Sequence, residues 1–87
     1  MKYEYAKSFI RDTKKVPEDT KSGIKSLVES VGLVEHFGQL SNVKKMKGYS
    51  NAFRIRIGDY RVGVLLEEDN LILTRVLHRK EIYKYFP

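Results

Sequence analysis

Arg54 and Arg56 flank a single isoleucine, Arg61 follows five residues after Arg56, and His78, Arg79 and Tyr83 stand near the C-terminus. Guanidinium groups make bidentate contacts with phosphate oxygens and stay protonated at any physiological pH. An imidazole, with an unperturbed pKa near 6.5, and a phenol can transfer protons. Together these types suit a site that clamps a phosphodiester and moves protons around it. Lys44, Lys45 and Lys47 precede the arginines and are of the kind that makes sequence-independent phosphate contacts, or that simply decorates a solvated loop.

The elements that must hold these groups are legible from periodicity. Phe53, Ile55 and Ile57 alternate with Arg54 and Arg56, which predicts a strand with one apolar and one cationic face. Gly58-Asp59 supplies a tight turn, Tyr60–Leu66 a second strand, Glu67-Glu68-Asp69-Asn70 a polar turn, and Leu71–Leu77 a third strand that is apolar on both sides. Residues 80–86 read as a short helix or turn. Upstream, residues 2–5 alternate as a first strand. Ala6, Phe9, Ile10 and Thr13 follow helical spacing, and Pro17 divides them from a second helix carrying Ile24, Leu27, Val28 and Val31, with Gly32 as its expected stop. The expected order is β-α-α-β-β-β: an α+β domain with a helical hairpin packed on one face of a mostly antiparallel sheet. The other face is expected to be open, with Arg54, Arg56 and Arg61 projecting from it. Ordinary outward charge on half-exposed strands is the competing explanation for those arginines, although Asp59 is the sole acid near them in sequence.

The 87 residues fit one domain, 1–87, and a modest core. Cysteine is absent, and His36 and His78 lack ligand spacing, so neither a disulfide nor a metal or other cofactor is expected. No apolar run approaches the roughly 18–20 residues of a membrane span, and no leader pattern follows Met1, so a cytoplasmic protein is expected. The net charge is +6. Residues 1–43 carry seven Lys/Arg against six Asp/Glu, whereas residues 44–87 carry ten against five. A polyanion-binding face is therefore expected in the second half; basic character alone suits RNA, DNA or an acidic protein equally.

Four strings in order, Val43-Lys44-Lys45-Met46-Lys47-Gly48, Phe53-Arg54-Ile55-Arg56, Gly58-Asp59-Tyr60-Arg61-Val62 and His78-Arg79-Lys80-Glu81-Ile82-Tyr83, resemble the RelE/ParE superfamily of toxins from type II toxin–antitoxin systems. Lys7-Ser8-Phe9, followed by Lys14-Lys15-Val16-Pro17, resembles that family's opening helix. Each string alone is weak; their order across essentially the whole chain is specific, and closer to the RelE-like mRNA interferases.

The resemblance implies the RelE-like fold and a metal-independent endoribonuclease. Such an enzyme cleaves mRNA, on the ribosome, by attack of a ribose 2′-hydroxyl on the adjacent phosphate. It implies that Arg61 binds the scissile or the adjacent phosphate, that Arg79 is the C-terminal active-site arginine, and that Tyr83 stacks on a base or takes part in proton transfer. Arg54 and Arg56, with Lys44, Lys45 and Lys47, would bind mRNA or ribosomal RNA. Where a lysine pair is familiar in RelE-like sequences this chain has Arg54 and Arg56, which are poor bases. His78 then becomes a candidate base, although strand alternation places it opposite Arg79. The implied partners are an acidic, partly disordered antitoxin, which would carry any operator-DNA contact, and the ribosome. Two other readings stand beside this one. A ParE-like inhibitor of DNA gyrase performs no chemistry, and Arg75-Val76-Leu77-His78 also occurs in ParE-like sequences. A catalytically silent RNA-binding module is the third.

Overall fold

A computed structural model describes residues 1–87. The elements are β1 (Lys2–Tyr5), α1 (Lys7–Thr13), α2 (Glu18–Leu33), a 3-10 turn (Phe37–Gln39), β2 (Val43–Lys45), β3 (Ala52–Ile57), β4 (Tyr60–Glu67), β5 (Asn70–His78) and α3 (Ile82–Tyr85). The five strands form one sheet in the order β1-β5-β4-β3-β2, with β1 parallel to β5 and every other pair antiparallel. The α+β class and the helical hairpin on one sheet face are as expected. The added strand is β2, where the sequence suggested a loop; its three residues are too few to show alternation, and pairing with β3 creates it.

The helical layer covers the main core. Phe9 of α1 and Ile24 and Val31 of α2 meet Ile55, Val62, Val64, Leu71, Leu73 and Val76 of the sheet. Each of the three strands β3, β4 and β5 thus sends one side-chain row under the helices, as a period of two requires. Helix α2 begins after Pro17, with Glu18 and Asp19 at the positive end of its dipole. It passes the expected stop at Gly32 and ends at Leu33, with Val34 extended beyond it. The Met1 ammonium donates to the carbonyls of Val31 and Val34, so the strand beginning at Lys2 satisfies the helix end that a left-handed glycine would otherwise close.

Helix α1 is pinned to β5 by a polar contact. The β4–β5 register slips between Gly63 and Val64, leaving Thr74 without a cross-strand partner. At this irregularity the Val76 N–H donates to Asp12 Oδ2 at 3.0 Å, and Arg75 Nε donates to the same oxygen at 2.7 Å. Ser8 Oγ donates to the Thr74 carbonyl at 2.6 Å. Arg75 is therefore turned toward α1.

The second sheet face is only partly open, contrary to expectation. Met46, Ala52, Ile82 and Phe86 are buried together there, flanked by Leu65 and Leu77. The chain after β5 folds back across this face because Ala52, Leu65 and Leu77 present apolar surface that water would otherwise wet. Phe86 lies on Gly63: a Cβ at that position would stand 2.7 Å from the ring. The β5 strand is apolar on both sides because it is covered on both sides.

Candidate functional site

The uncovered end of that second face is a cleft of about 440 Å³. Its floor comes from Arg54 and Arg56 on β3 and Arg61 on β4. Arg56 and Arg61 are direct cross-strand partners, and Arg54 lies opposite Gly63, over which the Phe86 ring packs. Lys44 of β2 lines one side and is paired in register with Arg54, so both project to the same face. Arg79 and Lys80, just beyond β5, line the other side, and Tyr83 of α3 stands over the floor. The Arg54 guanidinium lies 5.1 Å from the centroid of the Tyr83 ring, a cation–π contact.

Few negative groups answer this charge. Asp59 Oδ1 is 3.7 Å from Arg79 Nε, between two exposed side chains, and the Arg79 N–H donates to the Asp59 carbonyl at 2.8 Å. Arg61 donates to the carbonyls of Gly58 and Tyr60, both at 2.9 Å. Partial burial lowers the Arg61 pKa from its ordinary value, and Arg56, Arg54 and Arg79 lower it further, while Asp59 acts in the opposite sense. The physical meaning is an under-neutralised positive site: three neighbouring cations crowd a fourth, and an incoming anion relieves all of them at once.

The structure brings together Arg54, Arg56, Arg61, Arg79, Tyr83 and Lys44. It separates the others. Lys45 pairs with Phe53, which packs on the helical side, so its side chain leaves the cleft face; only its carbonyl serves the site, accepting a 3.4 Å hydrogen bond from Arg54. Lys47 lies in the exposed turn after β2 and does not line the cleft. His78 stacks edge-on against Tyr60, which packs on the helical core, and its Nδ1 accepts the Lys80 N–H at 3.2 Å. Alternation thus turns His78 away from the arginines, and the role of base assigned to it has no geometric support. Lys80 was not singled out among the candidate residues. It lies past the strand end, where alternation no longer gives a direction; its place beside Arg79 is its one signal.

A family model described as "ParE toxin of type II toxin-antitoxin system, parDE" matches residues 3–83. The chain is 44% identical over 88 residues to Toxin RelE3 of Methanocaldococcus jannaschii, covering all of both chains. It is 30% identical over 79 residues to Putative toxin RelE1 of the same organism, covering 90% of this chain and 88% of that one. Among solved structures it resembles a chain of the RelB-RelE antitoxin-toxin complex from Methanococcus jannaschii. That match has a TM-score of 0.83 and 42% identity, over 95% of this chain and 98% of that one. The isolated E. coli RelE toxin shares the fold at a TM-score of 0.64 and 17% identity, over 95% of this chain and 90% of that one. With the arginine cleft on a fold of this kind, the chain belongs to the ParE toxin family of type II toxin–antitoxin systems, within the RelE/ParE superfamily.

Proposed function

We propose that this toxin is an endoribonuclease that cleaves mRNA engaged on the ribosome. The observation that carries the reading is the cleft itself: four arginines face one open volume with a single exposed carboxylate beside them. That arrangement fits a phosphodiester whose charge grows in the transition state of attack by the 2′-hydroxyl. Arg61 and Arg79 hold the oxygens of the scissile phosphate, while Arg54 and Arg56 bind the neighbouring backbone. Tyr83, exposed and backed by Arg54, offers its free face to a base. The likeness to a chain crystallised as a RelB-RelE complex supports a RelB-type antitoxin as the partner that holds the toxin inert. Work on translated mRNA would place the protein in the cytoplasm; no helix is long and apolar enough to cross a membrane.

The family description favours a second reading, a ParE-like protein that inhibits DNA gyrase without chemistry. Brief induction in cells, with mapping of mRNA 5′ ends, separates the two. New ends within translated codons, lost in Arg79→Ala/Tyr83→Phe at equal protein level, are the expected result. Growth arrest with intact mRNA and damaged DNA replaces the nuclease reading with the gyrase one.

A further inference from the structure

We propose, building on the nuclease reading above, that Lys44 and Lys80 are the proton-transfer pair of this site, Lys44 acting as base and Lys80 as acid. The floor of the cleft is arginine, and arginine does not shed its proton at working pH. No histidine, aspartate or glutamate lines the cleft. The side chains there that can exchange a proton are Lys44, Lys80 and Tyr83, and Tyr83 has one ring face against Arg54.

The sheet places the two lysines on opposite sides. Lys44 is on β2, Arg54 and Arg56 on β3, Arg61 on β4, and Lys80 follows the end of β5. At about 4.8 Å between neighbouring strands, β2 and β5 are roughly 14 Å apart, with the arginine floor between them. A phosphate held on that floor would lie between the two sides of the cleft that carry the lysines. In-line displacement requires that arrangement, because the attacking and departing oxygens lie on opposite sides of phosphorus. Both side chains are flexible stems ending in an ammonium group, long enough to reach inward.

The step balances as follows. The neutral amine of Lys44 takes the proton of the 2′-hydroxyl, and the 2′-oxygen forms a bond to phosphorus. The bond from phosphorus to the 5′-oxygen breaks, its electron pair stays on that oxygen, and the Lys80 ammonium protonates it. The products are a 2′,3′-cyclic phosphate and a 5′-hydroxyl. Lys44 leaves the step charged and Lys80 neutral, and exchange with water resets both.

Lysine-to-arginine variants test this, since they preserve the positive charge and remove the exchangeable proton. The full chain, released from its antitoxin complex, is assayed in single turnover on programmed ribosomes across pH. Lys44→Arg and Lys80→Arg should each bind ribosomes as the parent does and each cleave about 10²–10⁴-fold more slowly. An mRNA whose scissile 5′-oxygen is replaced by sulfur supplies a leaving group that needs no acid. It should restore Lys80→Arg and leave Lys44→Arg slow. Circular dichroism and rebinding of antitoxin confirm that the variants are folded. Cleavage by Lys44→Arg within about threefold of the parent, or sulfur rescue of Lys44→Arg instead of Lys80→Arg, overturns the pair. A parent protein that cleaves no ribosome-bound mRNA overturns the nuclease reading itself, a separate and visible failure.

Discussion

At the residue scale, the molecule contains two opposite uses of charge. Asp12 and Arg75 are a shielded pair, the Asp12 side chain 7% exposed and that of Arg75 22%. Their carboxylate also satisfies the Val76 N–H. Removing the acid strands both a half-buried guanidinium and a buried donor, so Asp12→Ala should lower stability by about 3 kcal/mol. Asp12→Asn, which keeps an acceptor for Val76, should cost less than half of that; urea titration decides, and equal losses would deny the ion pair its role. Arg56 and Arg61 are the reverse case, like charges placed directly across strands. Arg56→Gln should therefore stabilise the free protein by up to about 1 kcal/mol. Added phosphate should shrink that gain, because an anion in the cleft relieves the same repulsion. A destabilised Arg56→Gln would show that the arginines are internally compensated. The arginines, Lys44 and Tyr83 were legible as a site because strand alternation puts Arg54, Arg56 and Arg61 on one face. Lys45 stands beside Lys44 in sequence, and only the register removes it, whereas His78 suits the site by its imidazole chemistry, and alternation alone already sets it opposite Arg79.

At the element scale, the C-terminal segment sets the position of Arg79, Lys80 and Tyr83, and Gly63 sets the position of that segment. Any Cβ at residue 63 collides with the Phe86 ring, which is buried and has little room to move. Gly63→Ala should cost about 1–3 kcal/mol through overpacking, and it should abolish cleavage by lifting the helix that carries Tyr83. Adding Phe86→Ala to Gly63→Ala should cost less than the sum of the two single changes, since the clash then has no second partner. Strict additivity in thermal unfolding would disprove the contact. Two helices and three long strands could be read directly, each having enough residues for a period to show. Strand β2 and the C-terminal cover could not. The first is three residues held by pairing with β3, and the second rests on Ile82 and Phe86, whose burial depends on apolar residues of strands distant in sequence.

At the scale of the whole molecule, the charge is arranged in two layers that the sequence halves conceal. Residues 1–43 sum to +1, which suggested that only the second half is cationic. In the fold Asp12 is taken up by Arg75, so the exposed side of α1 presents Lys7, Arg11 and Lys14, none of them in an ion pair. Their spacing of four and three residues aligns them on one side of the helix. That row lies on the helical layer, and the cleft lies on the far face of the sheet. A short single-stranded RNA in the cleft should therefore feel the arginines and not the α1 row. Each phosphate neutralised contributes a slope of about −0.7 to a plot of log affinity against log salt for single strands. With about four contacts in the cleft, the slope for a short oligonucleotide should be near −3. Arg54→Gln/Arg61→Gln should flatten it by about 1.4, whereas Lys7→Gln/Arg11→Gln/Lys14→Gln should leave it unchanged. If the α1 variant flattens the slope as much as the cleft variant, the oligonucleotide is held by diffuse charge over both layers, and the arginine cleft loses its standing as the binding site.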